Sequence, residues 1–387
     1  MLSTTRESKQ IDKTGHRPTW AEIDLDALAA NFHIVKDRVG RDVNVMAIVK
    51  ANAYGHGAVA CARRLESEGA DWFGVALPEE GVELRNAGIA KPILCLAGFW
   101  KGQATLCLEQ KLVPVVYRID VIEEFDRAAR ESRVVADVHV KIDTGMGRLG
   151  VRFDEVSDFI DALQKFQNIR VDGLMTHFAA ADEPSCGPLT KDQIQRFENA
   201  VAAFREHALI PTYRHLANSA ASFAEPASWG NMVRPGGVLY GLWRDILAPS
   251  DQEEGLRSVM SLHSRIAQLK WVPQGETVGY GCTFEASRKT LVATVPIGYD
   301  DGYMRALSNR GHAIIRGVHA TVIGRISMDL TLIDVTNVPG VQLDDEVILM
   351  GHHAGLSVTA EDLAKTAGTL SYEVTCGIGE RVPRIYI

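Results

Sequence analysis

From Trp20 to about Gly241, the chain alternates short apolar runs with longer amphipathic stretches. The apolar runs have the length of buried strands, and the amphipathic stretches have the period of surface helices. Repeated strand–helix alternation favours a parallel sheet, because parallel neighbours need a helix-length crossover. About eight strands in about 240 residues suit a closed barrel better than an open sheet. We therefore predict an N-terminal (β/α)8 TIM-type barrel whose last strand is MVRPGGVLY, at 232–240.

The pattern changes after about residue 250, where short β-rich runs are separated by Gly and Pro turns. Such runs are typical of a small, mainly antiparallel β domain, here interrupted by one predicted helix at 359–368. The predicted linker is LAPSDQEEG. We predict three segments: an N-terminal polar arm and strand over 1–23 that packs with the C-terminal domain, a barrel over 24–249 and a β domain over 250–387.

Composition limits the classes of function. A formal net charge of −8 over 387 residues offers no basic surface for nucleic acid, and no apolar run reaches the roughly 18 residues that a membrane span needs. The six cysteines form no CxxC pair, so we expect no zinc or redox dithiol site, and their scatter is typical of a reducing compartment. The polar start lacks the apolar core of a signal peptide, so we expect a cytoplasmic protein.

Lys50 directly follows the apolar run VNVMAIV and begins the stretch KANAYGHG. In a barrel, the carboxyl ends of the strands carry the active site. A lysine that is partly desolvated there has a lowered pKa and can form a Schiff base with a carbonyl, as in pyridoxal phosphate enzymes. The alternative is an ordinary solvated lysine at the start of a loop.

Other polar side chains also fall where predicted strands end. A barrel would bring all of them to one mouth, whereas purely structural polar residues would scatter over both ends. The candidates are Lys50, Tyr54, Lys141, Asp143, Arg148, His177, Asn218, Ser219, Arg234, Gly236 and Gly237.

Two of these places suit a phosphate group. The stretch NSAAS, at 218–222, could open a helix with free backbone N–H groups, or it could be a plain helix cap. Together with Gly236 and Gly237, it lies after the last two strands, where barrels often bind phosphate.

A dinucleotide site is the competing interpretation. GMGRLG, at 145–150, matches G-x-G-x-x-G after a strand, and Asp172 lies roughly 20 residues on. However, the next helix is predicted to begin near Asp154, so the pyrophosphate would lack its helix N-terminus.

In the β domain, Tyr280 has glycine on both sides. A tyrosine in this setting packs poorly into a regular strand, so we expect it to be displayed at a site or an interface.

Motifs in a fixed order, from about Pro18 to Ile387, resemble those of alanine racemase, a fold-type III pyridoxal phosphate enzyme. The matching motifs are VKANAYGHG, KIDTGMGRLG, MTHFAAAD, HLANSA, VRPGGVLYG, VGYGCTF, PIGYDDGY, GRISMDLTLID and ERVPR. The resemblance implies a homodimer that interconverts L-alanine and D-alanine and supplies D-alanine for peptidoglycan.

The resemblance also implies residue roles. Lys50 would hold pyridoxal 5'-phosphate and act as the base for one enantiomer, and Tyr280 from the partner subunit would be the opposing base. Arg148 would contact the cofactor's phenolic oxygen and the substrate carboxylate. The cofactor phosphate would be bound by Tyr54, Ser219, Gly236, Gly237 and Tyr372, with Asn218 nearby. Arg234 would contact the pyridine nitrogen, with His177 beside it, and Lys141 would be carbamylated. The backbone of Met328 would line the substrate pocket, and Tyr299 and Tyr303 would narrow its entrance.

Two positions depart from the family pattern. Gly237 stands where many relatives carry a larger apolar residue, and Gly379-Glu380 stands where Ser or Tyr followed by Lys or Arg is common. Either could change the substrate range, so a broad or serine/lysine-preferring racemase remains an alternative.

A related decarboxylase would need an acidic residue in place of Arg234. A non-catalytic pyridoxal phosphate carrier would need no β domain.

Overall fold

The computed structural model describes residues 17–251 and 255–387. The polar arm predicted before residue 17 and the middle of the predicted linker lie outside the described residues. Within the chain, one compact unit comprises 22–261, 359–379 and 384–387, and we call it the barrel unit. The other comprises 17–21, 262–358 and 380–383, and we call it the β unit.

The helices and strands follow one another in the order expected of a barrel and then a β-rich region. The strands are β1 (Thr19–Ile23), β2 (Asn44–Ile48), β3 (Trp72–Val75), β4 (Ile93–Cys95), β5 (Leu112–Val116), β6 (Ala136–Asp143), β7 (Val151–Arg152), β8 (Ile169–Met175), β9 (Tyr213–His215), β10 (Met232–Val233), β11 (Met260–Arg265), β12 (Gln268–Val272), β13 (Thr277–Val278), β14 (Phe284–Glu285), β15 (Thr290–Val295), β16 (His312–Ile315), β17 (Val318–Val322), β18 (Thr331–Asp334), β19 (Glu346–His353), β20 (Leu356–Val358) and β21 (Arg384–Tyr386). The helices are α1 (Leu25–Val39), α2 (Lys50–Tyr54), α3 (Ala58–Ser67), α4 (Pro78–Asn86), α5 (Ala104–Glu109), α6 (Ile119–Glu131), α7 (Val156–Leu163), α8 (Gly187–Glu206), α9 (Ser219–Ala224), α10 (Ala360–Ala367) and α11 (Ser371–Cys376).

The barrel unit contains the predicted parallel sheet, in the order β10-β2-β3-β4-β5-β6-β8-β9. Backbone hydrogen bonds join the two end strands: Asn231 N–H donates to the Arg214 carbonyl at 3.1 Å, and Arg234 N–H donates to the Ala217 carbonyl at 3.0 Å. The sheet is thus a nearly closed, TIM-like barrel, which confirms the predicted fold class.

Most of the barrel strands are short, because a strand that is buried on both faces needs only an apolar run of a few residues. Large side chains from six strands form one core cluster in this unit. The cluster consists of Met46, Ile48, Trp72, Leu94, Val115, Met175 and Met232. The polar side chains of the site therefore follow strands that are fixed by packing.

The β unit contains an antiparallel sheet with the strand order β12-β15-β18-β17-β16-β19-β11-β1. β13 and β14 pair separately as a small hairpin. A core of Val272, Val278, Ala286, Val292 and Ile323 packs beneath part of this sheet. Thr19 joins the unit through its hydroxyl, which lies 2.8 Å from the Ser264 hydroxyl.

The predicted boundary of the β domain differs from the observed division, because 359–379 belongs to the barrel unit. The predicted helix is α10, a second helix, α11, follows it, and polar bonds attach the pair to the barrel unit. The Ser371 N–H and hydroxyl donate to the Asp245 carboxylate at 2.9 and 2.8 Å. A turn at 368–370 separates the two helices, because Gly368 has a φ of +80° that ends α10.

The last predicted strand is also shorter than expected. Only Met232 and Val233 are extended, and a 3-10 helix follows at Gly237–Tyr240. Pro235 has no N–H to donate to a neighbouring strand, and glycine favours a turn, so the ladder stops there. In the described part of the chain, no helix has the length and apolar content to cross a membrane.

The contact that closes the barrel can be tested with two glycines of positive φ. A Cβ at Gly230 would lie 2.1 Å from the Arg214 carbonyl oxygen, whereas a Cβ at Gly102 would have no heavy atom within 4 Å. Both Ala substitutions add backbone strain, but only Gly230→Ala adds a steric cost of about 1–3 kcal/mol. We expect Gly230→Ala to lower the melting temperature several degrees more than Gly102→Ala. Equal melting temperatures would contradict the described closure.

Candidate active site

A cavity of about 850 Å³ opens among the carboxyl ends of the barrel strands, and its lining belongs entirely to the barrel unit. The sequence-predicted residues that line it are Lys50, Tyr54, Lys141, Arg148, His177, Asn218, Ser219, Arg234, Gly236 and Tyr372. Four of these are cationic, and the carboxylates of the described lining are Asp182 and Asp245. The excess of positive charge favours an anionic ligand.

Lys50 lies two residues beyond the end of β2, at the start of an unusual turn. The four residues that follow it, Ala51 to Tyr54, all have φ values of 53°, so α2 is a left-handed turn. Each non-glycine residue in this conformation costs about 1–2 kcal/mol. Such strain persists only where the surroundings impose it, and it is concentrated at functional sites.

Three side chains stabilise this left-handed turn. Asn52 Oδ1 accepts a hydrogen bond from Ala58 N–H at 2.7 Å, and Glu80 Oε1 accepts one from Ala51 N–H at 2.7 Å. Buried His56 places Nδ1 2.9 Å from the carbonyl oxygens of Ala53 and Tyr54. Because carbonyls only accept, His56 carries its proton on Nδ1. Burial lowers the pKa of His56 to about 4, which keeps this tautomer neutral.

Both lysines of the cavity, Lys50 and Lys141, have lowered pKa values. Burial, followed by the positive charge of Arg148, lowers the pKa of Lys50, while Glu80 opposes this shift. The same two causes lower the pKa of Lys141 to about 8. The neutral amine, which acts as a nucleophile or base, is therefore more accessible for both lysines than for a solvated lysine.

Arg234 is buried at the cavity floor and joins the ends of neighbouring strands. Nη1 donates to the His215 carbonyl at 2.8 Å, and Nη2 donates to the carbonyls of Thr176 at 2.8 Å and Leu216 at 3.0 Å. Its Nη atoms also lie 3.2 Å from Nδ1 of His215 and His177. Burial lowers the pKa of Arg234 to about 9, so the guanidinium stays charged at neutral pH.

Arg234 also fixes the histidine tautomers, because it can only donate. His215 Nδ1 must accept, so its proton lies on Nε2, which is 2.8 Å from His139 Nδ1. His139 then carries its proton on Nε2, a buried atom without a hydrogen-bond partner among the described residues. Burial and the charge of Arg234 hold the pKa of His177 well below its usual value, so His177 is neutral too.

At one end of the cavity, Gly236 and Gly237 lie against two tyrosine side chains, and we call this end the glycine cradle. A Cβ at Gly236 would lie 2.4 Å from the Tyr54 hydroxyl, and a Cβ at Gly237 would lie 2.6 Å from the Tyr372 hydroxyl. Gly236 N–H donates to Ser219 Oγ at 2.9 Å. Burial raises the pKa of both tyrosines, so their hydroxyls remain donors.

The structure of the loop at 145–150 does not support a dinucleotide site. It runs into β7 at Val151, and α7 begins only at Val156. No helix N-terminus therefore follows these glycines, and Arg148 of this loop lines the cavity instead.

Asn218 caps α9, because its Oδ1 accepts from Ala221 N–H at 3.1 Å.

The other predicted residues lie in the β unit. Tyr280 is 71% exposed and Met328 is 51% exposed. Tyr299 is partly exposed. Tyr303 is 1% exposed, so its place is the core of this unit rather than an entrance surface. The placement of Tyr303 corrects the expectation that both tyrosines narrow an entrance.

Several supporting residues did not emerge from the sequence. Gln193 on α8 is fully buried and donates to Thr144 Oγ1 and to the His177 carbonyl, both at 3.1 Å. It thereby joins the loops after β6 and β8. His139 and His215 could have been found as polar residues inside apolar strands. Glu80 and Gln193 gave no such signal, because both occur in ordinary polar helix sequences.

Comparison with known proteins extends these observations. Residues 23–243 match the family profile described as alanine racemase, N-terminal domain, and residues 259–386 match that described as alanine racemase, C-terminal domain. The chain belongs to the alanine racemase family. This membership makes it an amino-acid isomerase, an alanine racemase by activity, and confirms the fold and the activity predicted from the sequence.

Individual alanine racemases match over almost their full length. One from Geobacter sulfurreducens is 45% identical over 377 residues, covering 96% of this chain and 97% of the relative. The solved structure of alanine racemase from Clostridium difficile 630 is 36% identical, covers 97% of each chain and has a TM-score of 0.89. That of alanine racemase from Bartonella henselae with covalently bound pyridoxal phosphate is 28% identical, covers 96% of this chain and 99% of its own, and has a TM-score of 0.85.

The role of His56 in the left-handed turn predicts a difference between two substitutions. His56→Asn keeps an N–H donor near the position of Nδ1, whereas His56→Ala leaves the buried carbonyls without one. At neutral pH we expect the Ala variant to lose about 1–3 kcal/mol relative to the Asn variant, measured as a lower melting temperature. Equal melting temperatures would show that the turn does not depend on this donor.

The same histidine makes stability depend on pH. Its pKa of about 4 lies below its usual value of 6.5, so the unfolded chain binds the extra proton first. Its contribution is complete above about pH 6.5 and falls as the pH drops towards 4, by up to about 1.4 kcal/mol per pH unit. We expect the melting temperature of His56→Asn to fall less steeply with acid than that of the wild type. His312→Asn, at an exposed histidine, is the control that should keep the wild-type slope.

Proposed function

We propose that the cavity of the barrel unit binds pyridoxal 5'-phosphate and that Lys50 and Tyr280 exchange protons with the α-carbon of alanine. The observation that carries this proposal is the lowered pKa of Lys50 in a cation-rich cavity that has a glycine cradle at one end. The relative from Bartonella henselae is described with covalently bound pyridoxal phosphate, which supports the choice of cofactor.

The residues present fit such a cofactor. The phosphate would lie beside the cradle, where Gly236 and Gly237 allow the tyrosines to approach the backbone closely and Tyr54, Ser219 and Tyr372 offer hydroxyls. Asn218 would remain nearby as the cap of α9. When bound, pyridoxal 5'-phosphate would withdraw electrons from the α-carbon and make its proton acidic.

Arg234 would face the pyridine nitrogen. Its hydrogen bonds to described residues engage both Nη atoms and leave Nε–H as the remaining donor. Because the guanidinium is charged at neutral pH, it would keep the ring nitrogen unprotonated and restrain electron withdrawal. His177 would lie beside the ring as a neutral imidazole. This restraint would favour proton return to the α-carbon over side reactions.

Racemisation needs a base on each face of the α-carbon, because one side chain cannot easily reach both. Lys50 would serve one face, and its lowered pKa suits proton exchange near neutral pH. Tyr280 would serve the opposite face. We assign it to the partner subunit of a homodimer, and its exposure in the β unit supports this assignment.

The substrate carboxylate would bind Arg148, with the Met328 backbone completing the pocket and Tyr299 near its entrance. Lys141 would be carbamylated, since its pKa of about 8 leaves a neutral amine that can add carbon dioxide. The carbamate would place a negative charge among the cations of the cavity. The product would be D-alanine for peptidoglycan, made by a cytoplasmic enzyme that needs neither nucleic acid nor membrane.

The departure at Gly237 does not enlarge the substrate pocket. A Cβ there would lie 2.5 Å from Ile246 Cδ1 and 2.6 Å from Tyr372 Cε1. The space that a larger residue would use is therefore already filled, and a broad-specificity or serine/lysine-preferring racemase is not favoured by this position.

The direct test follows loss of optical rotation from L-alanine with purified protein and pyridoxal 5'-phosphate. We expect the wild type to racemise alanine and Lys50→Ala to lose at least about 10³-fold in kcat, because both the covalent anchor and one base disappear. Lys165→Ala, at an ordinary helix end, should retain full activity. No racemisation by wild type with bound cofactor would contradict the proposed function, and full activity of Lys50→Ala would contradict the role of Lys50.

A further inference from the structure

Three motifs of the β unit meet at one arginine. Arg381, of ERVPR, forms an ion pair with Asp300 of PIGYDDGY, and its Nη2 donates to Asp329 of GRISMDL at 2.7 Å. Its Nε lies 3.3 Å from Asp301 Oδ1. The sequence resemblance gives no role to this arginine or to these aspartates.

A second arginine anchors the same cluster. Arg17 donates to both carboxylate oxygens of Asp301, at 2.8 and 2.5 Å. Asp301 is fully buried and also accepts from Gly298 N–H at 3.0 Å. A buried carboxylate needs such partners, because leaving it uncompensated would be costly. The position of Asp301 is therefore fixed, and Arg381 is held against a fixed point.

Arg381 connects two turns that already touch through their backbones. Tyr299 N–H donates to the Ser327 carbonyl at 3.0 Å, and Asp300 N–H donates to the Met328 carbonyl at 3.1 Å. The approach is so close that a Cβ at Gly298 would lie 2.3 Å from the Met328 carbonyl oxygen. Any shift of one turn therefore moves the other, and Arg381 holds both by their acidic side chains.

We propose that Arg381 is a positioning residue for substrate binding, and that it fixes the Met328 backbone by clamping the turn at 298–302 to the turn at 327–330. This inference rests on the proposed function, in which the Met328 backbone lines the substrate pocket. The substrate class concerned is a small α-amino acid.

The competing interpretation is an ordinary surface ion pair, since the side chain of Arg381 is 44% exposed. Isolated exposed pairs usually contribute little. Here three carboxylates converge on one planar guanidinium, and a second arginine holds one of them from the other side. A lysine is a point charge and could satisfy only one of these carboxylates at a time.

The test compares Arg381→Ala and Arg381→Lys with Arg316→Ala. Arg316 is a matched control, because it lies in the same unit, has a side chain that is 45% exposed and pairs with Asp345 at 3.2 Å. Loss of a binding interaction that is equal in the ground and transition states raises KM and leaves kcat unchanged. We expect Arg381→Ala to raise the KM for alanine about fivefold to tenfold with kcat within about twofold, Arg381→Lys to recover part of this, and Arg316→Ala to match the wild type.

Two further readouts separate positioning from general destabilisation. Amide hydrogen exchange should accelerate in Arg381→Ala at 298–302 and 327–330 and remain unchanged in the rest of the β unit. Titration with pyridoxal 5'-phosphate, followed by its visible absorbance, should give the wild-type affinity, because the proposed cofactor residues all lie in the barrel unit. An unchanged KM, or unchanged exchange in both turns, would overturn the clamp.

The failure of the clamp can be distinguished from the failure of the proposed function. If the wild type does not racemise alanine, the proposed function fails, and the exchange measurement still decides whether Arg381 holds the two turns together. If the wild type racemises alanine and Arg381→Ala has the wild-type KM, only the clamp fails.

Discussion

The site depends first on the buried guanidinium of Arg234. Its hydrogen bonds to the carbonyls of Thr176, His215 and Leu216 join the ends of β8, β9 and β10, near the point where the barrel closes. The same group sets the tautomers of the surrounding histidines, because it donates and never accepts. A single cation thereby fixes the geometry of the cavity floor and keeps the histidines around it neutral.

The cavity lining that follows β2, the strand paired with β10, depends on a strained backbone. Four left-handed residues follow Lys50, and this conformation is maintained by His56, Asn52 and Glu80. Lys50 and Tyr54, at the two ends of α2, both line the cavity. A right-handed helix after Lys50 would need none of these hydrogen bonds. The cost is consistent with a segment selected for position rather than for stability.

Much of this arrangement could be predicted from the sequence. Apolar runs of strand length located the barrel, and the polar residues that end them gave most of the cavity lining. The left-handed turn could not be predicted, because Ala51 and Ala53 favour ordinary helix by propensity and only tertiary hydrogen bonds override this. Helix α10 was predicted, but α11 and the place of both helices in the barrel unit were not, since bonds from Ser371 to Asp245, which is remote in sequence, attach them there. Tyr303 looked like Tyr299 in sequence, and only packing distinguishes them.

The central claim is that Lys50 of one copy and Tyr280 of the other act on the same α-carbon. Co-expression of Lys50→Ala and Tyr280→Phe chains with different affinity tags would allow the mixed dimer to be purified and assayed with L-alanine. In that dimer one site carries both substitutions and the other carries none, so we predict about half of the wild-type activity, although each parent dimer is nearly inactive. A mixed dimer no more active than its parents would show that the two residues act within one chain or not together, and would contradict the account.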